Sequence, residues 1–128
     1  MSQAGLVVGT PAFMAPEQAR GEPVDQRADL FSLGCVLYWL CTGRLPFVGS
    51  DVLSTLSALA THNPEPPAAL ARDVAPVMSD LIMDLLQKDP AARPTSSGAV
   101  AKSLAQIACS SEETLTSSQI AGARQTAP

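Results

Sequence analysis

The run Ala28-Asp29-Leu30-Phe31-Ser32-Leu33-Gly34-Cys35-Val36-Leu37-Tyr38-Trp39-Leu40-Cys41-Thr42 constrains the fold more than any other stretch of the 128-residue chain. It reads as a helix that is apolar on nearly every face, and in water such a helix must be covered all round by other elements. Gly43 supplies a left-handed terminating residue, and Pro46 keeps the chain from resuming the helix. The charge-free stretch from Leu30 to Gly43 is well short of the roughly 20 residues that span a bilayer. Met1-Ser2-Gln3-Ala4-Gly5 carries no basic n-region. The expectation is therefore a core helix in a cytoplasmic domain, with no membrane segment.

The elements available to cover it are helical. Residues 16–20 suggest a short helix. Ser50 is placed to cap a helix over 51–61, with Leu53, Leu56, Leu59 and Ala60 on one stripe. In Asn63-Pro64-Glu65-Pro66-Pro67 three prolines in four positions remove backbone donors, which predicts an extended connector instead of a helix. Pro76 is preorganised to open the next helix, and Met78, Leu81, Ile82 and Leu85 give it an apolar face before Asp89-Pro90 stops it. A last helix is expected after Thr95, presenting Val100, Leu104 and Ile107. Leu6-Val7-Val8 is too short a β-branched run to make a convincing strand, so the fold class is all-α with an irregular N-terminal stretch. Residues 109–128, rich in Ser, Thr, Gln and Ala, are expected to form a disordered tail behind a domain over 1–108.

Twelve acidic and eight basic side chains leave a formal charge of −4. That balance argues against a broad cationic face for nucleic acid or for an anionic membrane surface. Cys35, Cys41 and Cys109, odd in number and unevenly spaced, suggest small core thiols instead of a disulfide framework. With His62 as the lone histidine, no metal site is expected, and acid/base chemistry would have to rest on that one residue, before Asn63-Pro64 at a helix end.

The order of the segments carries more. Gly9-Thr10-Pro11-Ala12-Phe13-Met14-Ala15-Pro16-Glu17 resembles the end of the activation segment in serine/threonine protein kinases, which closes with Ala-Pro-Glu. Asp29-Leu30-Phe31-Ser32-Leu33-Gly34 resembles the start of that family's central buried helix, and Thr42-Gly43-Arg44-Leu45-Pro46-Phe47 the turn after it. Lys88-Asp89-Pro90 with Ala92-Arg93-Pro94-Thr95 is similar to the segment before its last helix. These motifs stand in family order over residues 6–107, and the Met-Ala-Pro-Glu-Gln-Ala form is closest to bacterial receptor-type kinases.

The resemblance implies the C-terminal helical portion of a kinase large lobe. Gly9, Thr10, Pro11, Ala12, Phe13 and Met14 would shape the pocket for the peptide substrate, with Thr10 helping to select a Ser or Thr hydroxyl. Glu17 would pair with Arg93 as a bidentate structural ion pair, and Asp29 would accept backbone N–H groups of the catalytic loop. The plainer alternatives are a simple turn at Thr10-Pro11, separately solvated Glu17 and Arg93, and an Asp29 favoured only by the helix dipole. Trp39 stands where many relatives carry a charged residue and is expected to pack. Ser2 and Thr10 are the hydroxyls available for phosphorylation near this loop.

Phosphoryl transfer needs a phosphate-covering loop, a lysine on the phosphates, an aspartate for the substrate hydroxyl and ligands for magnesium. The lysines are Lys88 and Lys102 alone, no Gly-x-Gly-x-x-Gly or Asp-Phe-Gly occurs, and His62 is followed by Asn63-Pro64. The expectation is a kinase fragment with no catalytic residue, metal or cofactor of its own. ATP and Mg would belong to the parent enzyme, and the missing N-terminal kinase portion would be a partner alongside the protein or peptide substrate. An alternative is a non-catalytic kinase-like binding module, and a third reading is an unrelated helical adaptor. With the upstream helices missing, one face of the 28–42 helix would be left open, at a cost of several kcal/mol against a typical stability of about 5–15 kcal/mol.

Overall fold

The computed structural model describes residues 11–109, and among them every regular element is helical. A 3-10 turn over Pro11–Phe13 leads into α1 (Pro16–Ala19), α2 (Gln26–Thr42), α3 (Val52–Thr61), α4 (Pro67–Leu70) and α5 (Pro76–Leu85). After a second 3-10 turn over Pro90–Ala92, α6 covers 97–109. Gly9, Thr10, Ser2, the run Leu6-Val7-Val8 and residues 110–128 of the expected tail lie outside the described residues, whereas Cys109, expected to open that tail, closes α6.

Local chemistry sets the helix ends. The Asp25 carboxylate accepts the Arg27 N–H to start α2, and Gly43, at φ 74°, ends it in the left-handed region where a side chain would be strained. α3 is capped by Asp51, not by Ser50. The Asp51 carboxylate accepts the Ser54 N–H at 2.7 Å while Ser54 Oγ accepts from the Asp51 N–H, a reciprocal pair that Ser50 is one residue too early to make. Pro76 occupies the first turn of α5, and Ser96 Oγ accepts the Ala99 N–H at the start of α6. The connector after His62 is extended only as far as Pro66. Pro67 then opens the short α4, because a proline at the first helical position loses no hydrogen bond it could have made. Ser79 Oγ ties α4 to α5 by accepting the Ala68 N–H at 3.1 Å.

α2 runs through the middle of two apolar clusters. On one side Phe31, Cys35 and Tyr38 pack with Phe47, Leu59, Ile82 and Leu86; on the other Leu30 meets Leu81, Leu85 and Val100. The Phe31 and Phe47 rings stack with centroids 5.6 Å apart. Gly34 lies where α2 meets the end of α5: a Cβ there would stand 2.8 Å from Leu85 Cβ. The helix is not covered all round, however. Val36, Trp39 and Leu40 are 36%, 47% and 67% exposed, so Trp39 does not pack into the core. On α3, Leu59 is buried and Leu56 half-buried, whereas Leu53 is 77% exposed and outside the buried face. A hydrophobic stripe in sequence is wider than the neighbour that covers it.

Candidate functional site

Residues 11–19 pack against α2 and α3 in a conformation fixed by three kinds of contact. Ala12 and Ala15 are buried, and Phe13 and Met14 pack partly against the cluster around Phe31. Ser32 Oγ, on α2, donates a 2.6 Å hydrogen bond to the Phe13 carbonyl. Gln18 Oε1 accepts the Ala15 N–H at 2.9 Å, satisfying a donor just ahead of α1.

The third contact joins residues 76 apart in the chain. Arg93 Nη1 and Nη2 reach Glu17 Oε2 and Oε1 at 2.7 and 2.8 Å, a two-pronged fork. The remaining donors of the guanidinium are taken up by main-chain carbonyls: Gln87 at 2.8 Å, Arg27 at 2.8 Å and Lys88 at 3.3 Å. Its plane also lies 4.9 Å from the Phe31 ring centroid. Both partners are buried, at 4% exposure each. Burial alone would raise the Glu17 carboxyl, but the hydrogen bonds and charge of Arg93 outweigh it, and the group sits below the usual glutamate range.

Asp29, in the first turn of α2, is brought to neither member of this pair. It is exposed, and among the described residues it accepts no side-chain hydrogen bond. His62 caps the C-terminus of α3, exposed, with its ring edge-on to Phe47 at 6.4 Å. Among the described residues no group of three His, Cys, Asp or Glu side chains is arranged to hold a metal ion. Lys88 is a residue the sequence left unassigned. Its Nζ donates to the Leu59 carbonyl at 2.8 Å and lies 4.4 Å from the Phe47 ring centroid. Nothing in the local pattern around Lys88 signals a partner 29 residues away.

The protein kinase domain family model matches residues 2–105. The chain belongs to the protein kinase family. Within that family it is 43% identical over 101 residues to serine/threonine-protein kinase pkn3 of Myxococcus xanthus, covering 77% of this chain and 18% of that protein. It is 40% identical over 90 residues to serine/threonine-protein kinase PknB of Mycolicibacterium smegmatis, covering 70% and 14%. Among solved structures, the twitchin kinase region of C. elegans matches 66% of this kinase-family chain and 15% of its own, with 32% identity and a TM-score of 0.61. The chain thus spans less than a fifth of the relatives it matches, and it corresponds to part of a kinase domain, the helical portion. An unrelated helical adaptor is ruled out. No described helix is long and apolar enough to cross a membrane.

Proposed function

We propose that the chain supplies the peptide-docking part of a cytoplasmic serine/threonine protein kinase, whose reaction moves the ATP γ-phosphate to a Ser or Thr hydroxyl of a protein. The observation that supports this best is the way residues 11–17 are held, by the buried Glu17–Arg93 fork to the segment after α5 and by the Ser32 bond from α2 to Phe13. A segment that must present a peptide to a reaction centre gains from being rigid before the peptide arrives. In this reading the segment is the end of the activation segment. Gly9, Thr10, Pro11, Ala12, Phe13 and Met14 line the substrate, Thr10 nearest the accepting hydroxyl, and Asp29 anchors the catalytic loop of an N-terminal kinase portion. ATP and Mg are held by that portion, consistent with the missing Asp-Phe-Gly and glycine-rich loop in the present sequence.

The test has two arms. Titration of the purified chain with ATP and magnesium in a calorimeter should give no binding heat, and radiolabelled ATP should leave no phosphate on myelin basic protein. A photo-crosslinking benzoylphenylalanine in place of Phe13 should capture serine-containing peptides more than the same group in place of Leu53. Phosphate transfer by the chain alone, or equal capture at both positions, would overturn the reading.

One observation favours a second reading, a non-catalytic kinase-like binding module. Phe31, Cys35, Phe47, Leu59 and Ile82 are completely buried by residues of this chain alone, so much of its core closes without further sequence. A module requires a cooperative thermal transition in the isolated chain, whereas a broad, non-cooperative melt would leave only the fragment.

A further inference from the structure

An open groove of ≈ 340 Å³ runs between α5 and α6. Its floor is apolar, made by Leu81, Ile107 and the 57%-exposed Val77. Asp80 and Asp84, both exposed and one turn apart on α5, stand along one side; Ser103 and Gln106 of α6 stand along the other. Past Ile107 lies a second hollow of ≈ 370 Å³, walled by Val74 and Met78 with Asp73 at its edge. Every charged side chain along both hollows is a carboxylate, and among the described residues none of the three is in an ion pair.

We propose that this acid-rimmed apolar groove docks a basic, apolar segment of a partner protein, with a lysine or arginine seated between Asp80 and Asp84. Two carboxylates at i, i+4 repel each other on a helix surface, and a cation between them relieves both. A lysine or arginine also brings an aliphatic stem that covers apolar floor while its charged head stays in water. A neutral apolar occupant would instead strip water from the two carboxylates and return nothing. An anionic lipid surface is repelled by the same charges, which makes a basic polypeptide the occupant that fits both floor and rim. The net charge of −4 adds long-range attraction for such a segment.

The probe is a fluorescein-labelled peptide of alternating leucine and lysine, read by fluorescence anisotropy against the full chain. Binding should weaken with salt, and the same peptide with glutamate for lysine should not bind. The double variant Asp80→Asn, Asp84→Asn, at two exposed positions that leave the fold intact, should weaken binding by about tenfold. Equal affinity of the double variant, or equal binding of the glutamate peptide, would overturn the proposal. Arginine is present in the chain's own C-terminal sequence as Arg124. If Arg124→Ala tightened peptide binding about tenfold, the chain itself would be the occupant, and the assignment to a partner would fall.

Discussion

Lys88 Nζ is held 4.4 Å above the Phe47 ring while it donates to the last-turn carbonyl of Leu59 at 2.8 Å. One ammonium group thus fastens the end of α3 and the turn after α2 to the segment that follows α5. Partial burial pulls its pKa below the usual lysine range.

Replacing Lys88 with Met keeps the stem and removes the charge. The expected loss is about 2–4 kcal/mol, the sum of a charged hydrogen bond and a cation–π contact. A lower urea midpoint at unchanged slope would show it; an unchanged midpoint would mean that the contact is solvated away.

Glu17→Ala leaves the Arg93 charge buried without its partner, and such an orphan costs about 3–5 kcal/mol. The pH dependence carries a sign. The folded Glu17 carboxyl ionises below its ordinary value of about 4.5, so its contribution is complete above that value and fades as pH falls through the lowered folded value. Denaturation curves taken along the acid limb should therefore slope less steeply in Glu17→Ala than in the parent chain.

Gly34→Ala sets two effects against each other. Alanine gains about 1 kcal/mol of helix propensity, but its methyl would sit 2.8 Å from Leu85 Cβ, an atom fixed to the α5 backbone. Overpacking of that kind costs about 1–3 kcal/mol, so α5 must shift and the melting temperature should fall. A raised melting temperature would show that α2 and α5 separate easily.

The three thiols should separate by reactivity. Cys109 is exposed, Cys41 half-buried and Cys35 fully buried, with burial pushing the Cys35 thiol up to about 12. Iodoacetamide followed by peptide mass mapping should modify Cys109 first, Cys41 slowly and Cys35 only in denaturant. Early labelling of Cys35 would mean that the face of α2 against Phe47 opens in the native state.

α2 is legible in the sequence because Gly43 ends it with a left-handed turn and the run from Ala28 to Thr42 admits no strand period; its first turn, from the Asp25 cap, lies ahead of that run. The start of α5 is likewise legible from Pro76; that of α6 is legible only to within a residue, because Ser96 and not Thr95 supplies the capping hydroxyl. What the sequence hides depends on geometry across the chain. The exposure of Trp39 and Leu53 depends on which elements reach them in the fold, and no local pattern encodes that. α4 escapes the pattern because clustered prolines read as a break, although a proline at the first helical position starts a helix. Glu17 and Arg93 stand out by resemblance, but the grip of Arg93 on three carbonyls belongs to the folded backbone alone.

That grip has a consequence for how the chain is made. Arg93 bonds to Glu17 across 76 residues and to the Arg27 carbonyl across 66. Closing a loop of that length costs about 4 kcal/mol in chain entropy before any bond rewards it. On the ribosome, residues 11–19 must therefore wait without their buried counter-charge until Arg93 emerges, so this segment is locked only after the helices between it and Arg93 have been made.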